Sequence, residues 1–190
     1  EDGGPSHDSP SAGYLIRKRV DPSAIPASSS GTYKKRQGVL YRLAEAYLSY
    51  AESLYEYSVA TGTYTDNETE ILDYINRVRY RAGIPQYGKG ADQIPVTEAQ
   101  LRDLIRRERR VELNCEAGIR FDDLRRWKEA ETALNGKFYG MNALAKSTER
   151  DEYYKRTLYQ TRRFISYWWP IPQDDIDKNT NLRQLPGWWR

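Results

Sequence analysis

An apolar stripe near the start of the chain constrains its fold more than any other feature. Leu40, Leu43, Ala44, Tyr47, Leu48, Ala51, Leu54 and Tyr55 recur at steps of three and four, which is the period of one face of an α-helix. Arg42, Glu45, Glu52 and Glu56 fall on the solvated side. Gly62 and the polar run TYTDN end this helix. A second is expected to start at Asp66 or Asn67, either of them a good N-cap, with Glu68 and Glu70 in its first turn. Ile71, Leu72, Ile75 and Val78 form its apolar face. Gly83 supplies the positive φ of a C-terminal stop, and Pro85 prevents the helix from resuming. Two such stripes must cover each other, so residues 38–82 read as a helical hairpin.

A loop follows at 84–95 (IPQYGKGADQIP). Thr97 then caps a third helix, with Gln100 completing a capping box and Val96 placed to staple onto Leu101. Leu101, Leu104, Ile105, Val111 and Cys115 set its face. Glu108 lies inside that apolar arc, where a carboxylate needs a cation, and arginine is plentiful nearby. Gly118 breaks the helix, and Phe121, Leu124 and Trp127 mark a fourth. Residues 132–165 carry no clear period beyond a turn signal at Asn135-Gly136. The stretch 164–172 (FISYWWPIP) is apolar and aromatic, and 173–190 is a polar tail holding Trp188 and Trp189. Ahead of the hairpin, residues 1–12 read as a flexible lead-in, 13–20 (GYLIRKRV) alternate as a short strand would, and 21–37 form a Pro- and Ser-rich loop.

Composition narrows what this helical chain can do. Its 190 residues suit one domain, or one and a half. The mean hydropathy of -0.88 and the absence of a long apolar run exclude a spanning helix. The first twenty residues lack the charged-then-apolar pattern of a signal peptide. One cysteine, Cys115, cannot make an internal disulfide, and one histidine, His7, sits in a polar tail, which removes His-based zinc sites and His-dependent catalysis. Thirty basic residues against 27 acidic leave +3, too balanced for a nucleic-acid or membrane binder. The run Arg106-Arg107-Glu108-Arg109-Arg110 looks like a phosphate patch in isolation. Acids interleave with it, however, at Asp103, Glu108, Glu112, Glu116, Asp122 and Asp123. The spacing of Glu108 to Glu112 and Arg106 to Arg110 makes stripes that cross-pair between helices, so an ion-pair network is expected rather than a phosphate footprint.

No Ser/His/Asp set, P-loop, CxxC or GxGxxG is present, and neither Asp122-Asp123 nor Asp174-Asp175 builds an acid/base dyad, because adjacent residues diverge on a helix. No metal site and no cofactor are expected. Tyrosine outnumbers phenylalanine 16 to 3. Three tyrosines stand in stretches that read as Gly-rich loops: Tyr64 in TGTYTDN, Tyr87 in PQYGKG and Tyr139 in GKFYG. Held exposed, such a ring is a platform for the apolar face of a sugar, with a hydroxyl available for hydrogen bonding. Folded back, it plugs the helix bundle. These three are the candidate ligand-binding residues.

Four segments in order carry a family resemblance: RLAEAYLSYAESL (42–54), INRVRYRAGIP (75–85), LRDLIRRERRVELNCEAGIRFDDLRRWK (101–128) and YWWPIPQDDIDKNTNLRQLPGWW (167–189). Together they resemble the C-terminal half of the SusD/RagB family. The chain departs from the family pattern at Glu116-Ala117-Gly118 and at Asn179-Thr180-Asn181. The resemblance implies a mainly α fold, with helical hairpins of tetratricopeptide-like type, long irregular loops and little strand. Residues 1–37 then form the lead-in and 38–190 a C-terminal helical domain. It implies no enzyme activity. It implies a glycan- or nutrient-binding lipoprotein on the extracellular face of the outer membrane, anchored by lipid outside this segment and capping a SusC-like TonB-dependent transporter. Arg109, Glu112, Arg120, Asp123, Arg125 and Trp127 then read as framework ion pairs and packing, and Pro170-Ile171-Pro172 as a fixed extended segment. Two readings from other classes stand beside it: a tetratricopeptide-like interaction module that binds a peptide or protein partner, and a glycosidase.

Overall fold

The structure, a computed structural model, describes residues 10, 12–18, 20, 21, 23, 38–116, 118–146 and 148–188. His7, Trp189 and most of the expected lead-in and its Pro-rich loop lie outside these. The chain divides into two units, residues 19–120 and residues 1–18 with 121–190. Both are built mainly from helix and irregular segments, and the described residues hold one two-stranded sheet.

The first unit is a helical hairpin backed by a third helix. α1 (Leu43–Thr61) ends at Gly62, whose φ of 71° reverses the chain, and α2 (Tyr64–Arg81) begins almost at once. Ala51 and Tyr55 of α1 meet Ile71 and Ile75 of α2, and Leu101 and Ile105 of α3 (Glu98–Glu112) close the core. Ala44, Leu48 and Val78 form a second cluster along the same hairpin. The buried Ser58 hydroxyl donates to the Leu54 carbonyl and accepts from Asn67. Tyr55 donates its hydroxyl to the Glu98 carbonyl at 3.0 Å, tying α1 to the start of α3.

Two helix ends differ from the sequence expectation. α2 starts at Tyr64, ahead of Asp66 and Asn67. The Asn67 amide does not cap α2. It reaches back to the Thr63 carbonyl and Ser58, filling the turn that Gly62 creates. α3 stops at Glu112, before Cys115, and Val111 within it is exposed; Cys115 is exposed too and adopts a positive φ of 59°, and the buried residue is Leu113. The early stop has a physical cause. Arg42 donates to the last carbonyl of α3, Glu112 O, at 3.1 Å while its guanidinium pairs with both Glu112 and Glu116. A cation at a helix C-terminus satisfies carbonyls that have no donor within the helix and so stabilises an end at that point. That pairing also holds the Arg42 pKa above its ordinary value, the Glu116 hydrogen bond being the largest cause.

The expected cross-pairing of stripes is present. Arg102 forks onto Glu56 at 2.8 and 2.7 Å, Arg109 faces Glu52 and donates to Ser49, and Arg81 joins Arg42 on Glu112. Arg102 and Arg109 of α3 thus face carboxylates of α1, which satisfies charge where burial would otherwise penalise it.

The second unit contains most of α4 (Ile119–Arg126), then α5 (Ala130–Ala133), β1 (Gly136–Gly140), α6 (Arg150–Tyr153), β2 (Thr157–Arg162) and α7 (Gln173–Lys178). β1 and β2 pair antiparallel with an irregularity at Phe138/Tyr139. No strand forms over the described part of 13–20. Ala12 accepts from Met141 N and Gly13 accepts from the Tyr153 hydroxyl, but Tyr14, Leu15 and Ile16 are exposed and no ladder continues along them. A Cβ on Gly140 would lie 2.4 Å from the Ala12 carbonyl, so only glycine permits this approach. Arg125 donates to the carbonyls of Ser166 and Tyr167 and sits 4.6 Å from the Trp169 ring centre, fixing the aromatic stretch. Ile171, between two prolines, donates to Gln184 Oε1 and accepts from Gln184 Nε2, both at 2.9 Å.

The α3 capping box is formed: Gln100 Oε1 accepts from the Thr97 backbone N at 3.2 Å and from its hydroxyl at 2.9 Å. Replacing Gln100 and Thr97 together by alanine is expected to lower stability by about 1 kcal/mol. Urea unfolding followed by far-UV circular dichroism measures this.

Candidate functional site

The loop 84–95 is held as a rigid frame. Asn76 of α2 uses both ends of its amide on one residue: Oδ1 accepts from Tyr87 N and Nδ2 donates to Tyr87 O, each at 2.8 Å. Ile94 N donates to Gln86 O and Gly88 N to Ile94 O, so the loop closes on itself. Gln93 Oε1 accepts from Gly90 N at 2.9 Å. A Cβ on Gly88 would come within 2.1 Å of that same oxygen. A larger residue there would have to displace the end of the Gln93 side chain, and the φ of 155° also favours glycine.

Under the loop lies a buried charged knot. Arg79 of α2 is 6% exposed and Glu108 of α3 is 7% exposed. They form an ion pair, and the Tyr87 hydroxyl donates to the same Glu108 oxygen at 3.0 Å. Arg79 also donates to the Pro85 carbonyl at 2.7 Å and lies 3.9 Å from the centre of the Tyr87 ring. The cation that Glu108 required is therefore supplied by the neighbouring helix. Burial first, and the Glu108 charge second, raise the Tyr87 pKa above the ordinary phenol value.

Beside this frame the outer face of α2 and the loop enclose a cleft of about 500 Å3. Glu68, Leu72, Asp73, Arg77 and Tyr80 line it from the helix, and Gln86, Gly88, Lys89 and Gln93 from the loop. Lys89 pairs with Glu68 at 2.7 Å and Arg77 with Asp73 at 2.8 Å.

The three sequence candidates fall in different places. Tyr87 is not an exposed ring: it is 4% exposed and belongs to the core, since the Arg79–Glu108 pair draws its hydroxyl inward, although the residue also borders the cleft. Tyr64 is half-buried at the start of α2, edge-on to Tyr55 with ring centres 6.1 Å apart, and does not line the cleft. Desolvation, then Glu68, pushes its pKa up to about 12. Tyr139 is in the other unit and is part of β1, not of a loop. Its ring is 39% exposed, with the Arg156 guanidinium 3.5 Å from its centre. Sequence reasoning missed Tyr80, Gln86 and Lys89. The available signal was Tyr80 itself, an aromatic in VRYR on the polar side of α2 and in line with Leu72 and Asn76 at steps of four.

A family model described as the SusD family matches residues 2–188. Two solved structures of BT4246, one of the selenomethionine form, are similar to the chain at 33% and 32% identity, each with a TM-score of 0.73. They cover 95% and 96% of this chain but only 30% and 29% of their own length. A SusD-like protein, BF3747, from Bacteroides fragilis NCTC 9343 is similar at 29% identity with a TM-score of 0.56, over 76% of this chain and 25% of its own. The chain thus spans less than a third of these solved relatives. No curated protein matches it.

Two outcomes test the knot and its surroundings. Glu108→Ala strands the buried Arg79 charge and is expected to cost about 3–5 kcal/mol, whereas Arg79→Met with Glu108→Leu recovers most of that loss; chemical denaturation compares the three proteins. Because the Tyr64 phenol is held neutral above its ordinary value, its contribution is full below about pH 10 and is lost as pH rises toward about 12. Tyr64→Phe is expected to flatten the fall in stability across that window, read by urea midpoints at successive pH values.

Proposed function

Since the chain belongs to the SusD family, we propose that it is part of a surface protein that captures a glycan or other nutrient at the outer membrane and hands it to a SusC-like TonB-dependent transporter. The family match over residues 2–188, joined to the likeness with SusD-like structures, carries this reading. The mechanism is capture and release without turnover. Rings and fixed polar groups hold the nutrient, and the rigid helical frame presents it to the barrel. Attachment in this reading is through a lipid anchor outside this segment.

Tyr139 serves this reading as a ring contact, because it is partly exposed and the Arg156 guanidinium lies against its ring. Tyr87 and Tyr64 act from behind, by fixing the loop and the start of α2.

An affinity-tagged copy in its native cells is expected to co-purify with a TonB-dependent barrel and to be labelled by a membrane-impermeant reagent on intact cells. Absence of any barrel from the purified material, together with protection from the reagent, would overturn the reading.

A further inference from the structure

The ribbon of β1 and β2 is open along one side. Just past β1, Met141 N donates to the Ala12 carbonyl at 3.0 Å, so that strand has a neighbour beyond β2. β2 has no such cover. Among the described residues, the backbone N–H and C=O groups of 157–162 bond only within the ladder to β1. The register passes over Tyr159, between Leu158 on Tyr139 and Gln160 on Phe138, which leaves that residue unpaired even inside the ribbon. From 155 to 163 every residue but the half-buried Tyr159 is exposed. A ribbon of two strands has little cohesion of its own. Its open edge presents donors and acceptors that another strand can take.

Charge marks the two ends of this edge. Lys155 and Arg156 precede β2, Arg162 closes it and Arg163 follows. Lys155 pairs with Glu152, but the three guanidiniums meet no carboxylate among the described residues. Arg156 lies 3.5 Å from the centre of the Tyr139 ring. Arg162 lies 4.8 Å from the centre of the Phe138 ring and donates to Gln160 Oε1 at 2.8 Å. Rings and an amide thus hold these two in place without neutralising them. The first unit does the opposite, where Arg42, Arg79, Arg102 and Arg109 each lie on a carboxylate. Unopposed cations at both ends of an open strand are not needed to fold the ribbon.

The same charges choose the occupant. A second copy is disfavoured. The antiparallel register that pairs all of β2 with itself sets Arg156 opposite Arg163 at both ends, and like charges directly opposite destabilise a strand pair. Carboxylates in those positions would instead meet a guanidinium at each end, in charge-assisted and bidentate geometry. We infer that β2 is the receiving edge for an extended segment of another polypeptide, as long as β2 and bounded by a carboxylate at each end. The segment adds as a third strand: main-chain hydrogen bonds supply affinity, and Arg156 and Arg163 set which segment is accepted. The inference is independent of the nutrient reading, since it assigns a different ligand class to a different place.

The test is nitrogen–proton NMR of the labelled 190-residue chain with two synthetic peptides, acetyl-ETVTVTVE-amide and acetyl-KTVTVTVK-amide. The acidic-ended peptide is expected to shift the backbone amides of 155–163 and to slow hydrogen exchange within 157–162. It is expected to bind about tenfold more tightly than the lysine-ended one at low salt, and the gap is expected to narrow to about threefold between about 50 and about 500 mM. Arg156→Glu with Arg163→Glu is expected to reverse the preference. Because Arg156 also rests on Tyr139, Arg163→Glu is made by itself as well; the Arg163 side chain has no hydrogen bond, ion pair or ring contact among the described residues, and its reversal is expected to cut the preference to about threefold. The acidic peptide N-methylated through its centre has no donors on either edge and is expected not to bind. Shifts confined to residues outside 155–163, equal binding of the N-methylated peptide, an unchanged preference in Arg163→Glu, or no binding of the acidic-ended peptide would each overturn the inference. So would concentration-dependent protection of 157–162 without peptide, which would make the occupant a second copy.

Discussion

The ion pair between Arg79 and Glu108 is the constraint on which the first unit depends. It joins α2 to α3 where water is excluded, and a charge left alone there would be strongly unfavourable. Neither partner can move without exposing the other. The pair then recruits its surroundings: Arg79 holds the Pro85 carbonyl and Glu108 accepts from Tyr87. The loop 84–95 therefore follows the helix pair instead of drifting over it. The fixed edge that loop gives the neighbouring cleft is a consequence of charge satisfaction two layers below.

The same logic recurs elsewhere in the unit. Arg42, Arg102 and Arg109 each bridge elements distant in sequence, and each uses a planar fork to contact two acceptors at once. Lysine would offer a point charge without that geometry. In the second unit Arg125 performs a similar task on carbonyls and on an aromatic face. Hydrophobic burial between α1, α2 and α3 supplies the cohesion, and the arginines decide which faces meet.

Much of this was legible because it is periodic. The stripes of α1 and α2, the stop at Gly83, whose φ is 70°, and the capping box at Thr97 and Gln100 are local patterns with local causes, although Leu40 and Leu43 of the α1 stripe are exposed and Glu52, expected in solvent, is buried against Arg109. Glu108 was legible as an anomaly, a carboxylate in an apolar arc. Which arginine answers it was not, since that depends on how two helices are aligned. The end of α3 was misread for a related reason: Arg42, some seventy residues earlier, takes its last carbonyl. Tyr87 looked exposed because glycines flank it, yet a buried acceptor outweighs flanking flexibility. The β1–β2 pairing left no trace because residues 141–156 separate the strands and neither alternates cleanly. Tyr80 and Gln86 escaped notice because each is unremarkable alone and only the fold makes them neighbours.

The segment Pro170-Ile171-Pro172 has a further bearing on how the protein behaves in company. Three successive residues contribute a single peptide donor, because the prolines have none. Gln184 takes that donor and also covers the matching carbonyl. One amide side chain thus stands in for an entire neighbouring strand. An extended, apolar stretch of this kind would ordinarily tempt another polypeptide to add alongside it. Here the single N–H is already taken, which leaves an incoming strand no donor to pair with along these three residues.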